Sequence, residues 1–141
     1  MNLGSYNMLD ILVVDDSIII RKAIKKYVTS LGHNIAGEAK TGIEAVSLCK
    51  ELQPDLITMD ITMPDMNGIS AVKNILDFNQ DVKIIMVTSH GQEEIVVDSL
   101  KAGAKGYILK PVSEDKLAKL IGDVFPDFAV VSEFDEELLD D

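Results

Sequence analysis

Five short apolar runs punctuate this chain, and four of them hand over directly to a polar residue. Ile11-Leu12-Val13-Val14 runs into Asp15 and Asp16, Leu56-Ile57-Thr58-Met59 into Asp60, Val82 to Val87 into Thr88, and Tyr107-Ile108-Leu109 into Lys110. The fifth, Ile35-Ala36-Gly37, is weaker and shorter. Runs of this length, rich in β-branched residues, suit strands buried on both faces. Between them lie helical patterns. Ile20, Ile24, Val28 and Leu31 recur behind Ser17 up to Gly32. Ala45, Leu48 and Leu52 follow Thr41 and stop before Pro54. Val72, Ile75 and Leu76 follow Gly68. Gln92 to Ala102 ends at Gly103, and Leu117, Leu120 and Ile121 follow Ser113. Ser and Thr at helix starts and Gly after helix ends are the expected caps. Strand and helix alternating five times specify an α/β fold: a doubly wound, five-stranded parallel sheet flanked by five helices.

The bulk properties agree with one folded domain. At 141 residues and 47% hydrophobic content, the chain can bury a proper core. No apolar run approaches the roughly 18–20 residues that span a bilayer. Residues 1–8 lack the basic-then-apolar pattern of a signal peptide, so a cytoplasmic protein with a disordered lead-in is expected. The folded domain is expected over residues 9–125. One cysteine, Cys49, excludes an internal disulfide, and its place beside Leu48 in a helical pattern favours buried packing. The net charge of −11 is uneven: residues 126–141 carry seven acids and no Lys or Arg, which leaves −4 on the rest. A nucleic-acid-binding surface should be basic, so direct DNA binding is not expected.

The polar residues all close strands. Ligands of open α/β sheets collect beyond the carboxyl ends of the strands, and the switch-point rule brings the ends of the first and third strands together. Asp15, Asp16 and Asp60 would then share one crevice. Three close carboxylates cannot all stay ionised without a cation, because like charges raise one another's pKa. Mg²⁺ suits them, since it takes a few carboxylates and keeps waters that a phosphate can replace. Lys110 would add a fixed positive charge and Thr88 a hydroxyl donor, making a cage for phosphoryl oxygens around an Asp nucleophile. Taken singly, each has a plainer reading: a helix-capping acid pair, a structural Thr, a solvated Lys. The functional reading rests on their sharing one edge.

Four stretches together resemble the receiver domain of two-component response regulators, of the CheY-like single-domain type: Leu12-Val13-Val14-Asp15-Asp16, Met59-Asp60-Ile61-Thr62-Met63-Pro64-Asp65-Met66-Asn67-Gly68, Val87-Thr88-Ser89, and Ala102-Gly103-Ala104-Lys105-Gly106-Tyr107-Ile108-Leu109-Lys110-Pro111. The likeness runs from about Leu9 to Phe125. It implies the flavodoxin-like strand order 2-1-3-4-5, an order that comes with the resemblance and not from the residues, CheY being a standard example of it. It also implies that Asp60 accepts a phosphoryl group from a histidine kinase or its phosphotransfer domain. Asp16, Asp60 and the backbone carbonyl of Thr62 would hold Mg²⁺, with Asp15 assisting through water. Thr88 and Lys110 would contact the acyl phosphate, and the Lys110-Pro111 bond would be cis.

The same resemblance gives the chain an output. Thr88 moving towards the phosphoryl group would let Tyr107 turn inward and re-shape the surface of Val96, Tyr107 and Leu109, a shift between two packings. A downstream protein, the flagellar motor switch protein in the chemotaxis reading, would bind there. Ile18, Ile19 and Ile20 cannot all be buried by one helix, so one or two should stand exposed beside Asp60, next to Arg21 and Lys22, as a kinase-docking patch with an apolar core and these charges as its rim, or as the over-packed start of a buried helix. His90 is read either as lying over the site or as a solvated loop residue. The tail, residues 126–141, mixes acids with Phe128, Val130, Val131 and Phe134, and is either a partner-binding segment or a solubilising end.

The expected function is therefore a monomeric, single-domain switch that catalyses only its own phosphorylation and dephosphorylation, most like the chemotaxis regulators. Where those are rich in Met after the acid pair, this chain has Ile18-Ile19-Ile20, which leaves a phosphorelay carrier as the runner-up. An aspartyl-phosphate phosphatase of the haloacid-dehalogenase type would need a second Asp two places after the nucleophile, where Thr62 stands. A nucleotide- or flavin-binding module would need a Gly-rich fingerprint after a strand, and none is present.

Overall fold

The strands form because their side chains can be buried on both sides at once. In the computed structural model, which describes residues 8–126, β1 (Asp10–Val14), β2 (Asn34–Ala39), β3 (Leu56–Met59), β4 (Lys83–Thr88) and β5 (Gly106–Leu109) pair in parallel in the order β2-β1-β3-β4-β5. Alternate residues feed opposite layers. Leu12, Val14, Ile57, Met59, Ile84 and Met86 face one core, while Ile11, Val13, Leu56, Ile85 and Val87 face the other. Each fully buried Ile, Leu or Val contributes roughly 1.5–3 kcal/mol relative to exposure.

Helices α2 (Gly42–Leu52), α3 (Gly68–Phe78) and α4 (Glu93–Ala102) cover the first face, and α1 (Ile18–Ser30) and α5 (Glu114–Val124) the second. This is the expected doubly wound arrangement. Ser17, Thr41 and Ser113 cap α1, α2 and α5, each side-chain oxygen accepting from the backbone N–H three residues on. Asn67 caps α3 in the same way. Gly32, at φ 93°, follows α1 in a left-handed conformation that a side chain would resist.

Three readings of the sequence need correction. The second strand is six residues long, not the short Ile35–Gly37 segment. It is an edge strand with an irregular register opposite Ile11 and Leu12 and only Ala39 fully buried, so its ends carry no apolar signal. The buried stripe of α2 is Gly42, Ala45 and Cys49, while Leu48 is half-buried and Leu52 is 37% exposed. A helix of 3.6 residues per turn offers adjacent stripes, and the small residues occupy the buried one, Gly42 against the backbone of Met66. Arg21 is not a free rim charge: it is inward-leaning and paired with Glu38 on β2, as is Lys25. Those two cations hold the Glu38 carboxyl below its ordinary pKa, Lys25 first.

Cys49 is fully buried, and burial pushes its thiol upward. Ile18 and Ile19 stand 57% and 74% exposed while Ile20 packs on the second core, as one helix turn must divide them. The tail lies outside the described residues apart from Pro126, and the lead-in apart from Met8. Among the described residues no helix is long and apolar enough to cross a membrane.

Candidate functional site

Backbone pairing continues one residue past each strand and so brings the polar residues into line. Asp15 N–H donates to Ala39 O at 3.0 Å, Asp60 N–H to Val14 O at 3.0 Å, and Lys110 N–H to Thr88 O at 2.7 Å. All of these groups therefore lie at the carboxyl edge of the sheet, where β1 and β3 are neighbours. The carboxylate oxygens of Asp15, Asp16 and Asp60 come within 4.8 Å of one another. Asp15 and Asp60 are buried and Asp16 is exposed.

Lys110 bridges the buried pair. Its Nζ lies 3.0 Å from Asp15 Oδ2 and 3.4 Å from Asp60 Oδ1. Burial alone would pull the lysine down, but the two carboxylates together outweigh it and raise its pKa. Asp60 responds mostly to burial, then to the charge of Asp15 and, less, of Asp16. Its pKa is pushed up to about 6 despite Lys110. Asp60 Oδ1 also accepts from Ile61 N–H at 2.9 Å. Asp15 Oδ1 accepts from Ser17 N–H at 2.9 Å, and Arg21 Nη1 donates to the Asp15 carbonyl at 2.8 Å. Asp15 Oδ2 meets Lys110 as an ion pair too poorly aligned for a hydrogen bond, and it has no other partner among the described residues.

The rim of the site is also built. Thr88 is fully buried, and its hydroxyl oxygen accepts from His90 N–H at 3.0 Å. His90 Nε2 lies 2.8 Å from Thr62 Oγ1, which joins the β3–α3 and β4–α4 loops. His90, half-buried, is thus tied to the rim. The Thr62 carbonyl accepts no hydrogen bond among the described residues. The Lys110-Pro111 peptide is cis. Tyr107 and Val96 are half-buried, Tyr107 against the first core, and Leu109 is 43% exposed.

Two supports escaped the sequence reading. Asp65 accepts from Gly42 N–H and Ile43 N–H, both at 3.0 Å, which clips the loop after Asp60 to the start of α2; desolvation alone would raise its carboxyl, but the backbone N–H groups together outweigh it and hold it low. Lys116 on α5 donates to Leu109 O and Pro111 O at 3.2 and 2.9 Å, on either side of Lys110. Neither spacing is periodic, so only the folded chain reveals them.

The donor set is chemically uniform: three carboxylates, with one buried carboxylate oxygen short of partners among the described residues. That is an oxygen-rich site for a hard divalent cation, and no soft ligand stands in it.

Comparison with known proteins agrees with this geometry. CheY of Thermotoga maritima is 44% identical over 114 residues, covering 81% of this chain and 95% of that protein. Protein CcdB of Bacillus subtilis is also 44% identical, over 83% of this chain and 98% of its own length. The structure resembles a CheX–CheY–BeF₃–Mg²⁺ complex from Borrelia burgdorferi, with a TM-score of 0.80 and 39% identity over 82% of this chain and 88% of that one. Residues 11–122 match the response regulator receiver domain, and the chain belongs to that family.

Proposed function

We propose that this receiver is a phosphorylation-controlled switch in chemotaxis signalling, with Asp60 as the phosphoacceptor. The observation that carries the reading is the meeting of Asp60 with Asp15, Asp16 and Lys110 at one edge of the sheet. Asp60 presents a carboxylate oxygen to the phosphorus of a phosphohistidine on a kinase or its phosphotransfer domain. The new O–P bond forms as the P–N bond breaks and the imidazole leaves. Lys110 is already held beside Asp60 and offers its charge to the incoming phosphoryl oxygens. The Thr88 hydroxyl, which accepts from His90 N–H, keeps its own hydrogen available to donate.

The carboxylates of Asp15, Asp16 and Asp60 and the Thr62 carbonyl would hold Mg²⁺. When bound, the ion offsets the crowded carboxylates and the charge on the transferring group. The beryllofluoride and magnesium in the Borrelia CheY complex support this reading.

For output, Thr88 moves towards the phosphoryl group and Tyr107 turns further into the first core, altering the Val96, Tyr107 and Leu109 face that a partner reads. The expected partner is a flagellar switch protein, and the setting a monomer in the cytoplasm. The match to CheY proteins supports the chemotaxis role. The Ile18-Ile19-Ile20 run after the acid pair, with Ile18 and Ile19 exposed, supports a second reading, a single-domain phosphorelay carrier.

Intact mass after acetyl phosphate and Mg²⁺ tests the chemistry. One phosphoryl group should appear on the wild type and be absent from Asp60→Ala and from metal-free samples. If the wild type forms neither this adduct nor a beryllofluoride complex, the proposed site is wrong.

A further inference from the structure

The outer edge of β5 and the facing side of α5 enclose a groove of about 320 Å³, walled by Tyr107, Leu109, Leu120, Lys116 and Lys119. A second groove of about 300 Å³ lies between Lys83, Lys105 and Val124. The two meet at Asp123, which lines both. They form one track running up α5 from its C-terminal end to Leu109. Four lysines stand along it and one acid. None of the four pairs with a carboxylate among the described residues. Among the described residues β5 is an edge strand, so its outer backbone has no strand partner there.

We infer that the acidic, apolar tail of this same chain, residues 127–141, folds back along α5 and occupies this lysine-lined track in cis. The track starts against Val124, two residues before Pro126, so the tail is rooted at its entrance. Residues 127–141 carry seven acids and no Lys or Arg, together with Phe128, Val130, Val131, Phe134, Leu138 and Leu139. Apolar side chains among acids complement apolar walls among lysines. Length fits as well. From Pro126 back to Lys116 is about 15 Å along a helix, which roughly five extended residues cover. Glu133 to Glu137 therefore come level with Lys116 and Lys119 with chain to spare. A tether this short gives an effective concentration on the order of millimolar, so modest contacts suffice. The family match ends at residue 122, so the occupant is a feature of this chain beyond the matched receiver.

The docking itself needs no phosphoryl chemistry. Its consequence rests on the proposed function: a partner reading Tyr107 and Leu109 must first displace the tail.

Zero-length carbodiimide cross-linking of the full-length, unphosphorylated protein without Mg²⁺ tests the docking, because it joins a lysine to a carboxylate only when they touch. Cross-links between Lys105, Lys116 or Lys119 and Glu133 to Glu137 are expected at monomer mass. Their yield should fall severalfold in Phe128→Ser/Phe134→Ser, which leaves every cross-linkable group in place, and at about 1 M salt, where the screening length is roughly 3 Å. Cross-links found only at dimer mass would make a second copy the occupant and overturn the proposal. Cross-links spread equally to remote lysines such as Lys26 and Lys73 would overturn it too.

Discussion

A Cβ placed on Gly68 would collide with the carbonyl oxygen of Asp60. The first residue of α3 is thus packed directly against the backbone of the residue at the centre of the site, and Gly68 N–H donates to Ile61 O at 2.7 Å in the same turn. Gly68→Ala must push the two segments apart. It should cost about 1–3 kcal/mol, the range for over-packing, read as a lower urea midpoint at unchanged slope. Beryllofluoride binding should weaken with it.

Asp60 makes the metal-free protein sensitive to pH. Its carboxyl ionises near 3.8 when unperturbed and at about 6 in the fold, so folding disfavours the charged form. The penalty is absent below the unfolded value, grows as pH rises through this window, and is complete above it. Asp60→Asn should therefore stabilise the metal-free protein by roughly 2–3 kcal/mol at neutral pH, at about 1.4 kcal/mol per unit, and by little near pH 4. Adding Mg²⁺ should raise the urea midpoint of the wild type far more than that of the variant.

His33 pulls in the opposite direction. Its Nδ1 accepts from Leu9 N–H at 3.1 Å, and burial lowers its pKa below 6.5. The unfolded chain takes up the proton first, so this contribution is complete above 6.5 and is lost as pH falls below it. His33 and Asp60 partly cancel in the wild type, and single variants separate them. In an Asp60→Asn background, the loss of stability as pH falls just below 6.5 should shrink in His33→Gln, while the loss at lower pH, where the Glu38 and Asp65 carboxyls take up protons, should remain. Denaturant titrations across pH read both.

The His90 to Thr62 contact, at 2.8 Å, spans the two loops that flank Thr88. If Asp60 carries the phosphoryl group, this bridge limits the approach of water. His90→Ala should shorten the phosphorylated lifetime severalfold while leaving the urea midpoint within about 0.5 kcal/mol, as for a surface change. The decay of the phosphorylated mass at fixed Mg²⁺ measures it. An unchanged lifetime would make the contact a loop tie only.

Much of this was legible in the chain. Strands buried on both faces must be apolar throughout, so β1, β3 and β4 declared themselves, and each delivers its polar residue at the same edge. The four residues of the site core, Asp15, Asp16, Asp60 and Lys110, meet because a parallel sheet aligns equivalent strand ends. β2 was shortened in the reading because an edge strand need not be apolar at its ends. Arg21 looked like a rim charge because helical periodicity does not show that Glu38 faces it across the layer. Asp65, Lys116 and the His90–Thr62 contact depend on loop paths, and loops carry no period to read.

Lys116 grips the backbone carbonyls before and after Lys110 from the last helix. The Lys110 ammonium is therefore slung between an acid pair in front and a helix behind, and the two ends are coupled. Any molecule that shifts α5 alters how firmly Lys110 faces Asp60. By thermodynamic reciprocity, whatever engages Lys110 at Asp60 must alter the grip on α5 by the same factor. The strap lets the back of the molecule feel the front without any change of fold.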